Sequence, residues 1–124
     1  VSEVFKDRVV IVDDDALVRQ SLGDCMESAG YAVDSFGSAE EFLASASARD
    51  AVCLIVDIQL PGMNGLELQG RLGAADSRVP IIFVSAQGNE ANQYRAIKQG
   101  AAGFLSKPFR RHDLVKLVGA AIRR

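Results

Sequence analysis

Short apolar runs alternate along the chain with longer stretches in which apolar residues recur every three or four positions. Arg8 to Val12 (RVVIV) is β-branched and stops at Asp13-Asp14-Asp15, the pattern of a buried strand ending at a polar edge. Val18, Leu22, Cys25, Met26 and Ala29 then fall at helical spacing, and Gly30 supplies a stop, which predicts a helix of about 14 residues. Tyr31 to Phe36 (YAVDSF) reads as a weaker strand. Ser38 with Glu41 three residues on has the spacing of a capping box and opens a second helix over Ala39 to Ala46.

The third strand is the clearest. Ala51 to Val56 (AVCLIV) is apolar throughout, as a central strand covered on both faces should be, and it ends at Asp57. Pro61-Gly62 marks a turn, and Asn64 can cap a helix carrying Leu66, Leu68 and Leu72. Pro80 introduces a fourth strand, Ile81 to Val84 (IIFV), which ends at Ser85. A helix around Asn89 to Gln99 stops at Gly100, and a short strand near Gly103 to Ser106 ends at Lys107-Pro108. Leu114, Leu117, Val118, Ala121 and Ile122 form the apolar stripe of a last helix. Five strand–helix units in this order predict a parallel sheet with helices on both faces, an α/β fold in one domain spanning residues 1–124. No internal repeat, low-complexity segment or linker interrupts them.

Composition narrows the class further. With 124 residues, 48% hydrophobic and 24% charged, the chain has the balance of a soluble globular domain with one core. Its longest apolar runs fall far short of the roughly 20 residues of a membrane span, and the N-terminal residues lack the basic-then-apolar order of a secretion signal, so the expected address is cytoplasmic. A formal charge of −2 argues against nonspecific nucleic-acid binding by this domain. The Arg110-Arg111 and Arg123-Arg124 pairs read as solvated helix ends, where cations suit a helix C-terminus. Cys25 and Cys53 read as small buried hydrophobes, and Tyr94 and Phe104 as core or partly buried aromatics.

In an open parallel sheet, ligands bind beyond the carboxyl ends of the strands, near the point where strand order reverses. Every predicted strand but the second delivers a reactive-looking residue there: Asp13 and Asp14, Asp57, Ser85, and Lys107. Carboxylates converging on one cleft repel each other unless a cation is bound or protons are taken up. Carboxylate oxygens with a backbone carbonyl and water suit Mg²⁺, a lysine can hold a phosphoryl oxygen, and a hydroxyl can donate to one. The set fits an in-line phosphoryl transfer with a carboxylate as acceptor. Asp15 is better placed as the N-cap of the first helix than as a ligand. A Ca²⁺ loop starting at Asp13 fails, because Leu17 and Gly23 do not fall where a ligand and the turn glycine belong. Two other readings stay open, a scaffold that binds a partner without being phosphorylated and a small Mg²⁺-dependent phosphatase or phosphotransferase. The complete acidic set with Lys107 weighs against the first, and the lack of a substrate-pocket insertion against the second.

From Val9 to Ile122 the chain resembles the receiver domains of bacterial response regulators, through Val12-Asp13-Asp14, Asp57 with Pro61-Gly62-Met63-Asn64-Gly65, Val84-Ser85-Ala86, Gly100-Ala101 and Lys107-Pro108-Phe109. Val18-Arg19-Gln20-Ser21-Leu22, Gly30-Tyr31 and Ser38-Ala39-Glu40-Glu41-Phe42-Leu43 are further similar to receivers that precede a LuxR-type DNA-binding domain. The resemblance implies a flavodoxin-like sheet in the order 2-1-3-4-5 and a phosphorylation switch. In it, Asp57 accepts a phosphoryl group from a sensor histidine kinase, and the domain catalyses its own Mg²⁺-dependent phosphorylation and dephosphorylation. It implies Mg²⁺ on Asp14, Asp57 and the Gln59 backbone carbonyl, with Asp13 acting through water. Lys107 would pair with the phosphoryl group across a cis Lys107-Pro108 bond, Ser85 would move to hydrogen-bond it, and Phe104 would turn into the space vacated. The surface of the fourth helix, fifth strand and fifth helix would then report the change to an output such as transcription, by a homodimer or by a DNA-binding domain outside these residues. The sequence departs from common members of the family at Ser85, where threonine is commoner, at Phe104, where many have tyrosine, and at Tyr94, where many have a small aliphatic residue. Gln59 and Gln87 flank the site.

Overall fold

Each strand is followed by a helix that carries the chain back to the same end of the sheet, so successive strands can only run parallel. The computed structural model describes residues 6–86 and 90–123. In chain order the elements are β1 (Arg8–Val12), α1 (Ala16–Ser28), β2 (Ala32–Phe36), α2 (Ala39–Leu43), α3 (Ser47–Asp50), β3 (Cys53–Asp57), α4 (Gly65–Ala74), β4 (Ile81–Ser85), α5 (Glu90–Lys98), β5 (Gly103–Ser106) and α6 (Arg111–Ile122). The five strands form one parallel sheet in the order β2-β1-β3-β4-β5, as expected.

Because side chains alternate across a strand, the sheet divides the interior in two. Val10, Val12, Leu54, Val56 and Phe83 pack on one face with Phe42 of α2, Leu66, Leu68 and Leu72 of α4, and Ala96 of α5. Val9, Ile11, Cys53, Ile55, Ile82 and Val84 pack on the other with Leu22, Cys25 and Met26 of α1 and Leu114, Val118 and Ala121 of α6. All of β3 and β4 is buried, whereas β2 at the sheet edge is only partly so, which explains its weaker apolar signal. Among the described residues, no helix is long and apolar enough to cross a membrane.

Several local expectations need correction. The second helix stops at Leu43 instead of reaching Ala46, and the extra helix α3 follows. Serines cause the break: the Ser45 hydroxyl donates to the Phe42 carbonyl at 2.6 Å and Ser47 bonds the Asp34 carboxylate, both competing with helix continuation. Ser38 does cap Glu41 at 3.1 Å, but Glu41 returns to the Gly37 N–H at 3.0 Å and not to its own cap residue. The reciprocal box occurs instead at Asn64 and Glu67, which start α4. Arg110 and Arg111 stand at the N-terminal end of α6, so only Arg123 gains from a helix C-terminus; Arg124 lies outside the described residues, as do Gln87 and Asn89. Tyr94 is no core aromatic. It is 66% exposed, because α5 turns Ala96 inward and the rest of its turn outward, and Lys98 lies 5.7 Å from its ring centroid. Phe104 is half-buried, and both cysteines are buried and free, as expected.

Gly65 is pressed against backbone. A Cβ on it would stand 2.8 Å from the Asp57 carbonyl oxygen and 2.9 Å from the Ile58 Cα, both of them backbone atoms that cannot swing aside. The start of α4 is therefore pressed directly on the end of β3. Gly65→Ala should destabilise the fold by about 1–3 kcal/mol, read as a lower urea midpoint at unchanged slope; a wild-type midpoint would show that the helix has room to retreat.

Burial pushes the Cys53 thiol up to about 12. The unfolded chain ionises this group nearer its ordinary value of about 8.5 and the folded chain does not. Its effect on stability is thus flat below that range and turns unfavourable as pH rises toward 12. At pH 8, Cys53 of the native chain should resist alkylation by iodoacetamide, with peptide mass mapping finding label there only after denaturation.

Candidate functional site

The carboxyl ends of β1, β3, β4 and β5 meet at one edge of the sheet, and the polar residues predicted to matter sit there. Asp13 follows β1 directly; its N–H donates to the Phe36 carbonyl at 3.1 Å, prolonging the ladder by one residue. Its Oδ1 accepts the Asp15 N–H at 2.9 Å, and its carbonyl accepts from the Arg19 guanidinium at 2.7 Å. Asp15 turns away to cap α1, accepting from Leu17 and Val18 at 2.9 and 3.4 Å, which assigns it the cap and leaves Asp14 exposed beside Asp13.

Asp57 is the last residue of β3 and is 8% exposed; its Oδ1 accepts the Gln59 N–H at 2.9 Å. The loop that follows turns at Gly62, whose φ of +72° suits a residue without a side chain. Glu40 of α2 reaches over to accept the Met63 N–H at 2.9 Å, and that hydrogen bond holds the Glu40 carboxyl below its usual range. Ser85 ends β4 fully buried, opposite Ser106 in the ladder. The Lys107 N–H donates to the Ser85 carbonyl at 2.7 Å, and the Lys107–Pro108 peptide is cis.

The Lys107 Nζ lies 3.5 Å from Asp13 Oδ2 and 3.5 Å from Asp57 Oδ2. One ammonium thus stands between two buried carboxylates. Burial raises the Asp13 pKa, the Asp57 and Asp14 charges raise it further, and the Asp15 N–H and Lys107 oppose them. Asp13 Oδ2 receives no hydrogen bond among the described residues, and carboxylate oxygens of Asp13, Asp14 and Asp57 lie within 4.8 Å of one another. Three hard anionic oxygens around a buried, under-bonded acceptor fit a small divalent cation. Phe104, the ladder partner of Phe83, packs against the core on the α4–α5 face.

The structure brings Asp13, Asp14, Asp57 and Lys107 together, ends the neighbouring strand at Ser85, and sets Gln59 on the rim. Three supporting residues were not singled out from sequence. Arg19 anchors the Asp13 carbonyl from one turn into α1, Glu40 pins the loop after Asp57, and Gly65 lets α4 close on that loop. Gly65 stood in the Asn64-Gly65 pair at the predicted helix start, and Arg19 and Glu40 stood only within stretches that carry the family resemblance, with no role attached.

Comparison with known proteins shows the family and the fold. The family model described as response regulator receiver domain matches residues 9–119. Nodulation protein W of Bradyrhizobium diazoefficiens is 42% identical over 116 residues, covering 94% of this chain and 51% of that protein. The transcriptional regulatory protein FixJ of the same organism is 36% identical over 118 residues, covering 95% and 58%. The chain thus spans about half the length of the curated relatives it matches. The crystal structure of FixJ-N superposes with a TM-score of 0.88 at 34% identity, covering 98% of this chain and 97% of that one. The chain belongs to the response regulator receiver domain family.

Proposed function

We propose that Asp57 accepts a phosphoryl group from a phosphohistidine on a sensor kinase and that the phosphorylated chain controls an output, transcription by analogy with the relatives. The observation that carries this reading is Lys107, held at 3.5 Å from both Asp13 and Asp57. In the transfer, the donor P–N bond breaks as a bond forms from an Asp57 carboxylate oxygen to phosphorus, and the leaving imidazole takes up a proton. The product is an acyl phosphate that adds roughly one to two negative charges at the sheet edge. Lys107 already stands beside that position and pairs its positive charge with a phosphoryl oxygen.

Asp14, Asp57 and the Gln59 carbonyl would hold Mg²⁺, with Asp13 acting through water. When bound, the ion supplies neutralisation of charge among the oxygens around phosphorus. Asp13 orients water and, through its hydrogen bond to the Asp15 N–H, keeps its carboxylate aimed at the site. Ser85 donates its hydroxyl to the phosphoryl group, lacking the methyl of the commoner threonine, and Phe104 turns inward on the side of α5. Packed interiors favour two discrete arrangements over gradual adjustment, so the surface of α5, β5 and α6, the fourth and fifth helices of the sequence reading together with the last strand, reports the change. The partners in this reading are a cytoplasmic histidine kinase and either a second copy of the chain or a LuxR-type domain carried outside it.

Incubation with acetyl phosphate and Mg²⁺ should add the mass of one phosphoryl group to the intact chain, with none on Asp57→Ala and none without the metal. An unphosphorylated scaffold would gain nothing under any condition, and a turnover enzyme would consume donor in the Asp57→Ala variant too.

The raised Asp13 pKa carries a stability consequence. A carboxyl that holds its proton more tightly when folded favours folding below its ordinary range, and loses that contribution as pH climbs through the folded value. At neutral pH without metal, the Asp13 charge therefore costs stability. Asp13→Asn should melt higher than wild type in metal-free buffer and lose most of the stabilisation that Mg²⁺ gives wild type. A lower metal-free melting point would contradict the assigned electrostatics.

A further inference from the structure

Helix α5 is anchored unusually lightly. An amphipathic surface helix ordinarily buries a stripe of apolar residues. Here only Ala96 among Glu90–Lys98 is buried, while the larger apolar residues Tyr94 and Ile97 are 66% and 48% exposed. What meets Ala96 from the neighbouring helix is an amide. Gln69 of α4 is 7% exposed, sits among Leu66, Leu68 and Leu72, and donates from Nε2 to the Ala96 carbonyl at 3.1 Å. That same carbonyl accepts the Ala101 N–H at 2.9 Å, so the bond grips the point where α5 ends.

A leucine or methionine would fill the Gln69 position without burying a polar group, so packing alone does not account for the glutamine. The amide is also only half satisfied: its Oε1 is buried and has no hydrogen-bond partner among the described residues. A buried acceptor without a donor disfavours the arrangement that contains it. Gln69 lines a cavity of about 790 Å³ together with Gln99, a donor-bearing residue just beyond the end of α5. A modest shift of α5 would exchange the partners available to both amide atoms.

We infer that Gln69 is the latch between α4 and α5, holding α5 by the Ala96 carbonyl, and that its half-satisfied amide sets the balance between two placements of that helix. The second clause rests on the switch proposed for Asp57; the first does not. Gln69 is a positioning residue in this scheme, remote from the phosphoryl group and acting through α5.

Hydrogen exchange of the unmodified chain tests the latch directly. In Gln69→Met, of similar length but without the amide, amides of Glu90–Lys98 should exchange about three- to tenfold faster than in wild type, with α1 and β3 unchanged. Exchange in α5 equal to wild type would overturn the latch, and so would equal acceleration in every element, which would mean a general loss of stability. Should the variant not fold, NMR of wild type decides: the Gln69 side-chain amide proton facing Ala96 should be protected from solvent, and free exchange would overturn the inference. After phosphorylation with acetyl phosphate, the change in α5 protection should be smaller in Gln69→Met than in wild type. An equal change would overturn the balance clause. Failure of Asp57 to acquire phosphoryl, read by intact mass, would overturn the switch and the balance clause together, while the unmodified-chain exchange would still decide the latch.

Discussion

Two buried carboxylates and one ammonium at the edge of a parallel sheet impose the constraint from which the rest of the molecule follows. Oxygens of Asp13 and Asp57 lie within 4.8 Å of each other. At an effective dielectric constant of about 20, two full charges at that distance repel by on the order of 3 kcal/mol. The fold accepts this because Lys107 stands 3.5 Å from both and because backbone N–H groups of Asp15 and Gln59 bond one oxygen of each carboxylate. Parallel strands deliver all three side chains to the same end. In an antiparallel pairing, Asp13 and Asp57, which end adjacent strands β1 and β3, would lie at opposite edges.

Holding such a site in one geometry requires rigid support, and the support comes from backbone more than from side chains. Arg19 grips the Asp13 carbonyl, Glu40 grips the Met63 N–H, the Lys107 N–H is tied to the Ser85 carbonyl, and Gly65 admits the start of α4 against the Asp57 carbonyl. These ties fix the loops at the reactive edge while leaving α5 lightly attached. Stability is therefore unevenly distributed, with the firmest parts beside the chemistry and the loosest in the helix assigned to report it.

Much of this was legible in the residues themselves, for an identifiable reason. Asp13, Asp57 and Ser85 each follow an unbroken apolar run of four or more residues, so strand ends and site residues are announced by the same step from apolar to polar. Asn64-Gly65 and Gly100 marked helix ends because a cap and a stop are local properties. What stayed hidden depends on contacts between distant segments. The break between α2 and α3 arises from Ser45 and from Ser47 reaching Asp34 of β2, and the outward face of Tyr94 follows from which side of α5 meets the sheet. Gln69 carries no signal of its own in the sequence; only its pairing with Ala96, 27 positions away, reveals a buried amide.

The division of the interior into two cores has a mechanical corollary. Helix α5 belongs to the core shared with α2 and α4, while α6 belongs to the core shared with α1, and β5 runs along the boundary between them. A displacement of α5 can be absorbed on its own side without repacking the layer that holds α6. In the proposed switch, a partner that grasps both sides of the β5 edge would therefore have α6 as a reference and α5 as the moving element within a single contact. It would sense a relative distance, which is unaffected by tumbling of the whole domain or by its orientation on a tether.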